Sequence, residues 1–286
     1  MHLRPPPRRT FTTLIPLFLG AISLPAATED KSSWHLFNPT PRDQMREMVT
    51  DRPDTTEAPY TVPAGHFQLE MSFFDYSRDL SPDLTSSIRN QAWIYGQMNF
   101  KAGLSHDVDL QIMFDTYTQG RSTTDEVTDK LSGFSDVTLR LKMNVWGNDE
   151  GITALAIMPY VKIPTGTRLS NNEWEGGLIV PLSVTLSDRV SLGLMTQMDL
   201  VSDANTGGYD LEWLHSATLG VSLTERLGMY VELVGVAGAS TDFRALLDGG
   251  LTFAVTDNLV FDAGVRIGLN RAAEDIGVFS GMSFRY

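Results

Sequence analysis

Cysteine is absent from the 286 residues, which excludes disulfides and thiolate metal sites and leaves the chain indifferent to an oxidising compartment. Basic residues are scarce: 22 Lys and Arg stand against 35 Asp and Glu, for a formal charge of −13. A nucleic-acid partner needs Lys and Arg clustered on one face, so that class is set aside. Long apolar runs are also missing. Beyond the first 27 residues the longest is ITALAIMPYV, 152–161, well short of the roughly 18 residues a membrane helix requires. There is no phosphate-binding loop either, so no energy source is encoded.

What the chain does have is 42% hydrophobic residues that must be hidden somewhere. The N-terminus has the form of a secretory signal: Arg4, Arg8 and Arg9 precede LIPLFLGAISL and the small pair Ala26 and Ala27. Residues 1–26 are therefore expected to be a cleavable signal peptide.

Further on, the side chains sort by parity. In 88–104, Ile88, Ala92, Ile94, Met98, Phe100, Ala102 and Leu104 fall on one face, against Arg89, Gln91, Trp93, Tyr95, Gln97, Asn99 and Lys101 on the other. Only a period of two separates them so, which is the period of a strand. Segments 136–145 and 259–269 repeat the pattern, the latter setting Leu259, Phe261, Ala263, Val265 and Ile267 against Asp262 and Arg266. Continued along the chain, the reading predicts twelve strands, near 66–76, 88–104, 108–117, 136–146, 152–163, 176–186, 190–200, 212–223, 228–238, 245–255, 259–269 and 276–286. Short polar breaks such as SHD, SDR, TER and TDN alternate with mostly longer stretches, including 118–135 and 201–211.

Twelve long strands with short turns at one end and longer loops at the other fit an up-and-down antiparallel transmembrane β-barrel of the outer-membrane kind. In lipid every backbone N–H and C=O must be paired, so such a sheet closes and leaves no edge. A soluble periplasmic β protein with its apolar face inward is the competing architecture. Against it, twelve long strands present more apolar area than one interior could use. The chain also ends on MSFRY, with Phe284 and Tyr286 on the apolar parity. An aromatic terminus closing an amphipathic strand is similar to the signal read by the barrel-assembly machinery, which with outer-membrane lipid is the expected partner.

One stretch is not explained by alternation: TDRPDTTEAPYTVPAGHFQLE, 50–70. With GFSDVTLRLKMNVWG, 133–147, and MPYVKIPTG, 158–166, it resembles the MetA-pathway phenol-degradation family of transporter-like proteins. The resemblance touches most of the chain after the signal and implies an outer-membrane β-barrel with a transport role for an undefined substrate. In physical terms Pro53, Pro59 and Pro63 keep 51–64 extended and without ladder donors. Residues 27–64 are expected to form an extended periplasmic lead-in to a barrel over 65–286. The alternative is that Asp51, Arg52, Asp54 and Glu57 fold into the lumen as a partial plug. Pro159 and Pro181 sit where ladder donors are wanted, and bulges are expected there.

If the polar parity faces the lumen, the lining comprises Arg89, Trp93, Tyr95, Gln97, Lys101, Asp109, Asp115, Asp136, Arg140, Lys142, Asp199, Glu232, Asp248, Asp262 and Arg266, with Glu70 beside them. Charges of both signs interleave. That suits either a narrow pore for small neutral or amphiphilic solutes, aromatic or hydrophobic ones included, or a lumen closed by ion pairs. No greasy slide and no charge ladder of one sign is visible. Catalysis is not expected: His215 lies on the apolar parity, but two residues on stands Ala217, while Ser216 points the other way, so a His-x-Ser pair of the outer-membrane lipase kind is missing. His66, His106 and His215 are too scattered for a zinc site, and no cofactor is implied. The expected function is that of a passive channel or transporter. A structural or adhesive barrel with a closed lumen, binding through 118–135 and 201–211, is the alternative.

Overall fold

The period-two segments pair in sequence order into one antiparallel sheet that closes on itself. The computed structural model describes residues 31–82, 87–204 and 206–286, and Lys31–Tyr286 make one compact unit. The expected signal peptide lies outside the described residues. Thirteen strands follow in order: β1 (Phe67–Pro82), β2 (Ser87–Gly103), β3 (Val108–Thr124), β4 (Val127–Gly133), β5 (Val137–Trp146), β6 (Thr153–Ile163), β7 (Glu175–Ser187), β8 (Val190–Asp203), β9 (Gly208–Ser222), β10 (Leu227–Gly238), β11 (Arg244–Thr256), β12 (Leu259–Gly268) and β13 (Ile276–Arg285).

Closure is made where β1 pairs with β13, Leu69 opposite Phe284 and Gln68 opposite Arg285. The last residue is tied in as well, since Tyr286 N donates to Phe67 O at 2.9 Å. Twelve strands form the wall, because β4 pairs only with the outer half of β3, from Thr118 opposite Gly133 to Thr124 opposite Val127. The loop expected over 118–135 is therefore largely a hairpin. Its turn residues Asp125 and Glu126 both have positive φ, 46° and 76°, as a two-residue turn matched to strand twist requires. Asp-Glu lacks the Asn-Gly or Asp-Gly signature, which is why the sequence does not announce it.

The barrel is inside-out relative to a soluble protein. Leu233, Leu251 and Phe100 are 54, 50 and 45% exposed, whereas Glu232, Asp109 and Lys142 are 0, 0 and 1% exposed. Greasy side chains thus form the outer belt and ionic ones the interior, the arrangement of a transmembrane barrel. The short polar breaks have a local cause. Their Ser or Thr hydroxyl accepts an N–H from two residues ahead: Ser187 from Arg189, Thr224 from Arg226 and Thr256 from Asn258. Each triplet closes its turn with its own side chain.

Two expectations about register need correcting. No register shift occurs at Pro159 or Pro181; β6 runs in step with β7, Pro159 opposite Leu178, and Pro181 sits opposite Met195 on β8. A shift does occur between Ser72 and Phe74 where β1 meets β13. Phe73 and Phe74 are consequently both exposed, and parity inverts above this level. Asp75 reaches inward to Arg266 at 2.6 Å and lies directly opposite Ile94. Opposed residues share a face, so Ile94 turns inward and Trp93 and Tyr95 turn outward. The pivot on β2 is Gly96, with φ of +60°, a conformation glycine adopts without steric cost.

Candidate functional site: a lumen crossed by the N-terminal segment

The polar faces of the strands surround a stretch of chain rather than an open pore. Residues 51–62 enter from the short-turn end and run across the lumen, held by wall side chains on several strands. Glu70 on β1 accepts the backbone N–H of Asp51 at 3.1 Å and of Arg52 at 3.1 Å. Glu232 on β10 accepts those of Thr55 and Thr56, each at 2.8 Å. Asp109 on β3 accepts that of Val62 at 3.0 Å. A proline-punctuated segment with no strand neighbours leaves its remaining N–H groups unpaired, and a buried orphan N–H is costly. Wall carboxylates supply what a ladder would.

Side chains lock the same stretch. Asp51 receives Lys142 Nζ at 2.7 Å and also Lys101, which bridges to Glu70. Arg52 forms a two-pronged contact with Asp262, at 2.6 and 3.1 Å, and reaches Ser72. Arg140 pairs with Glu57. Thr56 Oγ1 lies 2.6 Å from Ser216 Oγ. Nearer the periplasmic rim, Arg46 donates to Thr61 O and His106 O, and Asp149 gathers Lys31 at 2.7 Å, His106 at 2.9 Å and Arg46 at 3.3 Å. Although partial burial alone would raise the Asp149 carboxyl, the hydrogen bond from Lys31 and the charges of Arg46 and His106 hold it below its ordinary value. Burial and the neighbouring Arg46 push the His106 imidazole down.

The expectation of a periplasmic lead-in over 27–64 therefore fails for its second half, and the partial plug of Asp51, Arg52, Asp54 and Glu57 is what the chain builds. Of the residues predicted to face inward, Lys101, Asp109, Arg140, Lys142, Glu232 and Asp262 grip this segment. Gln97 donates to Asp115 at 3.0 Å, and Asp199 receives the Tyr160 hydroxyl and Gln197. Asp248 receives Tyr230 at 2.8 Å, and Arg266 is shared by Asp75 and Glu274. Asp136 sits at the outer mouth, bonded to the Thr165 N–H at 2.9 Å and paired with Lys162 at 3.3 Å. Three assignments are corrected: Arg89 is exposed, and Trp93 and Tyr95 lie on the outward face because parity inverts at Gly96. Trp93 packs tilted against Tyr76, 5.3 Å between centroids. His215 stacks outward on Trp213 while Ser216 turns inward, as the parity required.

An apolar inner wall was not foreseen. Met158 on β6, Ile179 on β7 and Met195 on β8 are buried inside the barrel, with Tyr160 and Leu214 packed against them. The segment presses on this wall too, for the Glu57 N–H points at Met195 Sδ, 3.3 Å away. The one clue was the run ITALAIMPYV itself. It is long because β6 is apolar on both faces, one meeting lipid and the other the buried cluster inside the barrel.

Cavities remain on either side of the plug. Above it a chamber of about 200 Å³ is bounded by Asp54, Glu57, Asn99, Asp248 and Phe279, and below it a vestibule of about 710 Å³ is bounded by Asp54, Glu57, Tyr60, Asp149, Leu182 and Thr218. Asp54 and Glu57 line both, so the segment is the partition.

A closed twelve-stranded wall, greasy outside, with an ionic interior defines the class: a transmembrane β-barrel of the outer-membrane kind. The chain belongs, more particularly, to the family described as "Putative MetA-pathway of phenol degradation", whose profile matches residues 50–286; the match begins where the plug begins. No curated protein matches the sequence. Among solved structures, an outer membrane channel from Pseudomonas putida F1 superposes on 83% of this chain and 100% of its own with a TM-score of 0.62 at 12% identity. The toluene transporter TbuX of Ralstonia pickettii covers 77% of this chain and 88% of its own, with a TM-score of 0.45 at 10% identity. These likenesses concern the fold.

Proposed function

We propose that the protein is an outer-membrane channel for small solutes, closed at rest by residues 51–59, which act as its gate. The observation that carries this reading is the partition: two cavities share Asp54 and Glu57 in their linings and lie on either side of a segment that belongs to no strand. Nearly every contact holding Asp51–Thr56 is a hydrogen bond or ion pair to a wall group that water could solvate once the segment moved. Displacement would join chamber and vestibule without breaking the sheet. The fold of a known outer membrane channel supports the same reading. So does the absence of any encoded energy source, which makes conduction passive. In this reading the chain is exported through residues 1–26 and inserted by the barrel-assembly machinery through the strand ending at Tyr286. The architecture of channels and porins, rather than enzymes, and the outward stacking of His215 on Trp213, away from the inward Ser216, support a protein without catalysis.

Because there is no native cysteine, the gate can be locked. In planar bilayers the double variant Thr56→Cys/Ser216→Cys should be silent when oxidised and pass unitary currents when reduced, whereas deletion of residues 46–60 should conduct under both conditions. The density of buried pairing favours one rival reading, a permanently closed structural barrel. Silence of the deletion variant, in protein that retains heat-modifiable mobility, would establish that rival and end the channel proposal.

A further inference from the structure

The chamber above the plug is lined by more acids than bases. Six carboxylates line it, from Asp51, Asp54, Glu57, Glu70, Asp75 and Asp248, against the guanidinium groups of Arg52 and Arg266. Assigning every nearby cation to its partner decides what is left. Lys101 and Lys142 hold Asp51 and Glu70, Arg140 holds Glu57, Arg52 is taken by Asp262, and Arg266 is divided between Asp75 and Glu274. Among the described residues Asp54 and Asp248 remain without an ion pair, Asp248 having only the neutral Tyr230 hydroxyl as its side-chain partner.

A second, independent observation points the same way. Asn99, 6% exposed and lining the chamber, has no donor for its Oδ1. Its orientation is fixed: Gln111 gives its Nε2 to Asp109, so its Oε1 must accept from Asn99 Nδ2 at 3.3 Å, and the Asn99 carbonyl is turned away from that pair. Glu57 Oε2, also without a donor, belongs to the same lining. Buried acceptors without donors are rare and costly. Here acceptors and unpaired carboxylates share a small chamber with Met113 and the buried ring of Phe279. A divalent metal does not fit, since among the described residues no three His, Cys, Asp or Glu side chains stand close enough to hold one. At about 200 Å³ the space is smaller than the roughly 300 Å³ at which drug-sized pockets begin.

We infer that the chamber binds a small organic cation, a primary ammonium on a compact apolar body. Its three N–H groups would serve Asp54, Asp248 and the Asn99 carbonyl, and its body would rest on Met113 and Phe279. This deepens the channel reading and rests on it for the ligand's route, but binding itself can be read on the closed protein with no current flowing.

The test uses the refolded full chain and three ligands of one skeleton that differ in charge: benzylammonium, benzyl alcohol and benzoate, titrated calorimetrically. Benzylammonium should bind saturably and at least tenfold more tightly than benzyl alcohol, with no detectable binding of benzoate. Asp248→Asn, which keeps an acceptor for Tyr230, should weaken benzylammonium at least fivefold and leave benzyl alcohol unchanged; Asp54→Asn should do the same. Equal affinity of the alcohol or the acid in the unaltered chain would overturn the inference whatever the variants do. So would full benzylammonium affinity in both variants. Saturable binding to the full chain beside silence of the 46–60 deletion in bilayers would remove the channel and leave the cation site, and currents from that deletion without binding to the full chain would do the reverse.

Discussion

The two flanks of the lumen hold the same segment by different means. On one flank, β1, β2, β3, β5 and β12 offer Glu70, Lys101, Asp109, Lys142 and Asp262, and each contact is directional. On the other, β6, β7 and β8 offer Met158, Ile179 and Met195, which fill volume. The difference separates two jobs. Burying ions costs desolvation that their mutual attraction only partly repays, so the ionic flank adds little net preference for the closed state, but it fixes which residue sits where. The apolar flank specifies nothing finely. Wetting it on opening would forfeit about 1.5–3 kcal/mol per large side chain, so it biases the segment toward closure. Register comes from charge, and resting state from grease.

The ionic flank should break hardest. Lys142→Met leaves Asp51 buried with only Lys101, itself shared with Glu70, and removing one partner of a buried pair costs about 3–5 kcal/mol. The expected outcome is release of the segment with the barrel intact: trypsin cuts the folded protein at Arg46, and bilayers show a larger open fraction than the parent chain. Met195→Ala should cost less, about 2 kcal/mol at the lower end for a buried methionine, and should raise the open fraction without altering where the segment sits when closed. Salt sharpens the contrast. Closure in the parent and in Met195→Ala should weaken as ionic strength rises, whereas Lys142→Met should have lost much of that dependence; equal salt sensitivity in all three would mean the division between the flanks is wrong.

How much of this could be read from the residues alone follows the same division. Strands were legible because period-two alternation is a local property, and the turn triplets because Ser187, Thr224 and Thr256 close them without help. The inward charges were legible as a face, and Lys101, Asp109, Lys142 and Glu232 are where parity put them. Trp93 and Tyr95 were misassigned because a single glycine with positive φ inverts the face, and nothing in YGQ distinguishes Gly96 from an ordinary strand glycine. The plug was visible only as a possibility, since the partners of Asp51, Arg52 and Glu57 lie up to 210 positions away. The apolar inner wall was hidden because a parity rule sends apolar residues to lipid and cannot divide a strand that is apolar on both faces.

The smallest expected effect tests the rim, where the segment enters. Asp149 holds Lys31, Arg46 and His106, and Asp149 and His106 both have folded pKa values below their unfolded ones. For each, the unfolded or released form binds protons more readily, so the contribution to anchoring is present above the unfolded pKa and is lost as pH falls through the folded one. Two windows follow: a first loosening as pH drops below about 6.5, from His106, and a second below about 3.9, from Asp149. Asp107, beside His106, opposes the first and keeps it small. Phe37, 88% exposed at the anchored end, is a site for a nitroxide on Phe37→Cys. Its spectrum should be least mobile at neutral pH, where the backbone is anchored, and gain a more mobile component in both windows. His106→Gln should abolish the first step and keep the second, because Lys31 and Arg46 still depend on the Asp149 charge; a single step at low pH in the parent chain would assign the whole of the rim's pH response to Asp149.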